Sequence, residues 1–86
     1  VISGAKSAID RAVEIAKAKG IKRAILLDVS APFHCALMAP ASGAMAEALA
    51  VTKFSAPCVP VVANVTATAE SNPDMLRQLL VDQVTG

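Results

Sequence analysis

Tryptophan and tyrosine are absent and phenylalanine occurs only twice, so this 86-residue chain has few large side chains around which to build a core. Apolar residues make up 55% of it, but alanine and valine carry that share. Small domains are already marginal on surface-to-volume grounds, and a shortage of aromatic bulk sharpens the problem. Glycine is sparse and scattered, at 4, 20, 43 and 86, which excludes a glycine-rich phosphate loop. Cysteine occurs twice, as Cys35 and Cys58, too few for a secreted cystine framework. Two reduced thiols in a cytoplasmic protein are expected instead. No apolar run reaches the roughly 18 residues of a membrane span, and neither end carries a targeting signal. The length allows one small domain or a piece of a larger one. Val1-Ile2 starts as if in mid-strand without a methionine, and Val84-Thr85-Gly86 stops just after a helical pattern. A fragment that packs against segments outside the chain is the expectation.

A net charge of +1 conceals an asymmetry. Lys6, Arg11, Lys17, Lys19, Lys22 and Arg23 face only Asp10 and Glu14 in the first 23 residues, a local charge of +4. The remainder sums to −3. Such a basic end is either a solvated helix face or a docking surface for an acidic partner. Nucleic acid is not expected, because no stacking aromatics or known binding motif accompany the charges.

Apolar positions Ala5, Ile9, Ala12, Val13 and Ala16 follow helical spacing and predict a helix over 5–19. Ser3 is its expected N-cap and Gly20 its left-handed terminator. Ile21–Val29, continuously apolar over Ala24–Leu27, reads as a strand covered on both faces. Strand, helix and strand with short joins make a βαβ-like unit. Two placements suit Asp28: exposed, or accepting hydrogen bonds from the following turn. Met38, Ser42, Met45 and Leu49 recur at helical spacing, with Pro40 tolerable in the first turn. Gly43 weakens that helix unless close packing requires it. Thr52–Pro60 has loop chemistry, and Val59–Val65 reads as a short buried strand with Pro60 at its start or on an edge. A turn rich in Thr, Ala, Glu and Ser follows. Asn72-Pro73-Asp74 then supplies a cap, a first-turn proline and a first-turn acid. Met75, Leu76, Leu79, Leu80 and Val84 complete the apolar face of this last helix.

Chemistry centres on Ser30-Ala31-Pro32-Phe33-His34-Cys35, which holds the only histidine. Histidine is the side-chain type that exchanges protons most readily near neutrality. A short loop between a strand and a helix would hold it by scaffold on both sides while its ring reaches a cleft. The alternative is a histidine hydrogen-bonded at the edge of a core. Metal is not expected, since one histidine and two cysteines lack a ligand set. Cys35 adjoins His34, but neighbours in an extended segment point to opposite faces, so the two are not a nucleophile–base pair. No serine lies in G-x-S-x-G, and the acids do not pair as catalytic carboxylates. The residues alone therefore provide a base and no nucleophile.

Taken in order, Val1-Ile2-Ser3-Gly4, Val29-Ser30-Ala31-Pro32-Phe33-His34-Cys35 with Leu37-Met38 and Pro40, Pro60-Val61-Val62-Ala63-Asn64-Val65-Thr66, and Leu80-Val81-Asp82-Gln83 closely resemble the malonyl-CoA:acyl carrier protein transacylase family. The resemblance covers essentially the whole chain, and the acyltransferase domains of polyketide synthases share its histidine block. It implies an α/β fold. Residues 1–29 would be part of a ferredoxin-like subdomain, and residues 30–86 part of the larger α/β-hydrolase-like acyltransferase subdomain.

The reaction implied is a ping-pong transfer of malonyl from coenzyme A to the phosphopantetheine thiol of acyl carrier protein, through an acyl-serine. No cofactor would be permanently bound. His34 matches the family's base, and Gln83 matches the residue whose main-chain carbonyl orients it. Phe33 matches a position that tunes the acyl pocket. Asn64 matches one near the site, where a supporting hydrogen bond or a structural role is implied. Asp82 stands where a basic residue is common. The family's G-H-S-L-G elbow, oxyanion glutamine and malonyl-binding arginine would lie in a missing N-terminal part. The rival reading is a non-enzymatic module whose basic helix 5–23 binds an acidic carrier protein.

Overall fold

In the computed structural model, which describes residues 1–86, the first apolar stripe folds into helix α1, Lys6–Ala18. Ile9, Ala12, Val13 and Ala16 are half-buried, while the surface carries the pairs Lys6–Asp10 at 2.9 Å and Lys17–Glu14 at 3.4 Å. Gly20 has φ of 84° and closes the helix. Ile21 N–H donates to Ala16 O and Gly20 N–H to Lys17 O, the paired bonds of a Schellman ending. The expected Ser3 cap is not used. Ala5 occupies the N-cap with no side-chain hydrogen bond.

Ile21–Val29 differs from expectation more deeply, because it forms no strand. Ile25, Leu26, Leu27 and Val29 are exposed, as is Asp28. A strand covered on both faces takes its ladder from neighbouring strands, and none lies beside this segment. Apolar composition reports what the segment would bury, not whether a partner is present.

Downstream, a 3-10 turn at Ala36–Met38 leads into α2, Ala39–Ala50, with Pro40 in its first turn as expected. Val59–Val65 contracts to a two-residue strand β1, Val61–Val62. It pairs antiparallel with β2, Ala69–Glu70, inside the stretch expected to be only a turn. Glu70 Oε1 then accepts from Ser71 N–H at 3.0 Å and Asn72 N–H at 2.9 Å. Asn72 Oδ1 in turn accepts from Asp74 N–H and Met75 N–H, capping α3, Pro73–Asp82. That cap, with Pro73 and Asp74, was fully written in the sequence.

The packing centre is the contact of α2 with α3. Ser42 Oγ donates to Val81 O near the start of α2, and Arg77 Nη2 to Thr52 O just past its end, so the helices run in opposite senses. Leu79, at 7% exposure, is the one buried residue. α1 has no comparable packing partner.

The accessible surface is 6528 Å² for 8.8 kDa, against about 4,800 Å² for a folded monomer of that mass. The radius of gyration, 16.9 Å, likewise exceeds the roughly 12 Å of a self-contained domain this long. Both excesses identify a chain whose apolar faces await other segments. The structure is a small mixed helix and two-strand arrangement, and it does not display a complete ferredoxin-like unit.

Gly43 supplies a test of local energetics. A Cβ built there meets nothing within 4 Å, so close packing does not require glycine. Gly43→Ala is expected to stabilise α2 by about 1 kcal/mol, read as a higher urea midpoint of the far-ultraviolet dichroism. A lower midpoint would show that this face of α2 is covered.

Candidate active site

Pro32 and the residues around it turn the chain sharply before α2. Phe33 N–H donates to Ala31 O at 2.9 Å across Pro32, and His34 follows with φ of 58°. A β-carbon residue in this left-handed region stores on the order of 1 kcal/mol or more of strain, which other contacts must offset. Cys35 returns to extended backbone at φ −149° and leads into the 3-10 turn. Its thiol donates to Pro32 O at 3.0 Å, so Cys35 helps to close the loop and does not meet the imidazole.

The contacts that offset the strain are on the ring. His34 Nδ1 lies 3.0 Å from Gln83 O and 3.0 Å from Gly86 O. Gln83 O is a peptide carbonyl and Gly86 O an oxygen of the chain's last residue; both accept, so Nδ1 carries the proton and donates to both. In the neutral ring Nε2 therefore keeps the lone pair. His34 is exposed, so that nitrogen is not sealed in an apolar interior. Gln83 sits at the C-cap of α3, where helix carbonyls lack intrahelical donors. The acceptor is thus a group the helix leaves free.

His34 and Phe33 border an apolar groove of about 570 Å³ between α2 and α3. Met38 of the 3-10 turn with Met45 and Leu49 of α2 line one side, and Leu80 of α3 with Val84 just past its end the other. Their helical spacing marked these residues as core, and the groove arises because the two helices do not close over them. Asn64 lies elsewhere, in a smaller cavity of about 310 Å³ with Phe54, Val61, Leu76 and Leu80. Gln83 borders both spaces, with its carbonyl serving His34. The structure thus brings His34, Phe33 and Gln83 together and sets Asn64 on the far side of Gln83. Asn64 makes no side-chain hydrogen bond within the chain, so its amide is uncommitted. Neither Gly86 as a second acceptor nor the left-handed backbone of His34 had a sequence signal. No group of His, Cys, Asp and Glu side chains is placed to hold a metal ion.

No protein-family model matches the chain. Among curated proteins it is 51% identical over 84 residues to a malonyl CoA-acyl carrier protein transacylase of Escherichia coli K12, covering 98% of the chain and 27% of that relative. Among solved structures it superposes on an acyl-carrier-protein S-malonyltransferase of Bartonella henselae with a TM-score of 0.85 and 55% identity, over 93% of this chain and 26% of that one. A malonyl-transacylase in complex with its type II polyketide-synthase acyl-carrier protein gives a TM-score of 0.88 at 44% identity, over 94% and 26%. The chain therefore spans about a quarter of the length of the relatives it matches, and along that quarter its resemblance to the transacylases holds.

A single histidine makes the tautomer directly measurable in this chain. Nitrogen-15 spectra of the neutral ring are expected to show a protonated Nδ1 and a bare Nε2. Gln83→Ala is expected to leave that pattern intact, because the acceptor is backbone. A neutral ring protonated on Nε2 would refute the carbonyl seat.

Proposed function

We propose that this chain is the part of a malonyl-CoA:acyl carrier protein transacylase that carries the catalytic base and its orienting group, with residues 1–29 in the small subdomain and 30–86 in the larger one. The weak packing of α1 on the remaining elements supports that division. The observation that carries the reading is the His34 ring, held at Nδ1 by main-chain carbonyls with Nε2 unengaged.

In the reaction, a serine hydroxyl from the N-terminal part attacks the malonyl thioester carbon of malonyl-CoA, and Nε2 of His34 takes its proton. The tetrahedral intermediate collapses, the C–S bond breaks, and the imidazolium returns the proton to the departing coenzyme A thiolate. Transfer to the carrier protein reverses the sequence. Nε2 takes the proton of the phosphopantetheine thiol, the thiolate attacks the acyl-serine, and the serine oxygen is reprotonated. The Gln83 carbonyl fixes the tautomer in place of the carboxylate of other triads. Phe33 forms part of the acyl pocket, and Asn64 supplies a supporting hydrogen bond from the neighbouring cavity. No resident cofactor takes part, and malonyl-CoA and the carrier protein are the two substrates. A soluble cytoplasmic setting suits this chemistry, and no helix is long and apolar enough to cross a membrane. A purely non-enzymatic binding module is not favoured by the relatives.

Two outcomes test the proposal. The 86-residue chain alone is expected to give no malonyl transfer above background with malonyl-CoA and carrier protein. In the full-length enzyme, His34→Ala and His34→Asn are each expected to lower kcat by about 10²–10⁴. Asparagine tolerates positive φ, so His34→Asn separates loss of the base from loss of the loop. A fall of less than about tenfold in both is too small for removal of a general base.

A further inference from the structure

We propose that Arg77 is a positioning residue for the His34 base, acting through the seat of α3. The inference rests on the acyl-transfer reading above and adds a residue to it. Arg77 makes three contacts at once. Nη1 pairs with Asp74 Oδ1 at 2.8 Å on its own helix, and Nη2 donates to Thr52 O at 3.2 Å. The guanidinium carbon stands 4.7 Å from the centroid of the Phe54 ring. Its side chain is only 28% exposed, and Nε is shielded from water without a partner. An arginine held in so costly a setting is placed by its neighbours and not by solvent.

Those neighbours belong to the far end of α2. Thr52 is itself tied to that helix, with its Oγ1 donating to Ala48 O at 2.8 Å. Arg77 therefore fastens α3 to the end of α2, while Ser42 and Val81 meet near its start at 3.5 Å. Gln83, the acceptor for His34, lies just beyond this second contact. Two fastenings at opposite ends of α2 define the angle at which α3 crosses it. With Leu79 the one buried residue, and that still 7% exposed, apolar packing does little to fix that angle. Release of the Arg77 end lets α3 pivot about Ser42, and the pivot moves the Gln83 carbonyl. Hydrogen bonds fall off steeply with distance and angle, so a shift below 1 Å is enough to free the ring.

Within the enzyme, a seat for a base is a rate effect and not a binding effect. In the full-length transacylase carrying this segment, Arg77→Ala is expected to lower kcat by about tenfold to a hundredfold. KM for malonyl-CoA should change by less than about twofold. Arg77→Lys keeps the charge and a donor for Thr52 O, and should recover part of the lost rate. Phe54→Leu loosens the same fastening from the α2 side and should lower kcat in the same direction. A kcat for Arg77→Ala within about twofold of the parent, measured where both are folded, would overturn the proposal even if thermal stability fell. Should Arg77→Ala fail to fold, Arg77→Lys and Phe54→Leu decide: parental kcat in both overturns it. His34→Ala in the same assay separates the two levels. Activity retained there sinks the acyl-transfer reading itself, whereas an inactive His34→Ala beside fully active Arg77 variants sinks only the positioning role.

Discussion

One hydrogen-bonded seat governs this structure, the donation from His34 Nδ1 to the carbonyls of Gln83 and Gly86, 49 and 52 residues further along the chain. Three features of the local chain serve it. The turn across Pro32 and the positive φ of His34 bring the ring out of line with the backbone that precedes it. The end of α3 supplies carbonyls that a helix cannot satisfy internally, at the pole of the helix that favours positive charge. A cationic ring at this place would therefore face the fixed main-chain dipoles at the end of α3. Those dipoles need no proton of their own and no side-chain ordering, so the geometry is as good as the placement of α3.

That placement rests on few contacts. Leu79 of α3 is the chain's one buried residue, and Ser42 and Arg77 add directional bonds at the two ends of α2. Upstream, β2 feeds α3 through Glu70 and Asn72, whose side chains accept the first free N–H groups of the turn and the helix. From β2 into α3 the chain is thus ordered less by a core than by two successive side-chain caps, Glu70 and Asn72. With a surface well above that of a closed monomer, a sparse core of this kind is what remains when neighbouring segments carry the other half of each interface.

Features decided by local chemistry were legible in the sequence. The Asn72-Pro73-Asp74 start, the Gly20 stop and the tolerance of Pro40 all depend on residues within a turn of one another, and all appear in the structure. Features that depend on a partner were not. Ile21–Val29 has the composition of a strand, yet strand formation is a property of a pair of segments, and its pair is not here. β2 was hidden for the opposite reason. Ala69 and Glu70 have weak strand preferences, and the short hairpin with β1 orders them. At the site, the histidine block and Gln83 came from resemblance to a family and not from periodicity. The left-handed backbone of His34 had no signal at all, since nothing in the residue type asks for it. Arg77 carried no signal of its role in the sequence, because its partners Thr52 and Phe54 lie about 25 residues away.

The acyl-transfer proposal divides the labour between this segment and an N-terminal part that would carry the serine. A base must be aimed before it is useful, and here the aiming group and the base lie in one stretch of chain, joined by contacts wholly internal to it. A nucleophile needs no such companion in the same stretch. It needs only to arrive within hydrogen-bond reach of Nε2 when the remaining segments dock. The tautomer is therefore chosen within these 86 residues, and under that proposal an incoming serine would meet a lone pair already committed. The proposed role of Arg77 follows the same logic, because the α2–α3 angle helps to set where the Gln83 carbonyl stands against the ring.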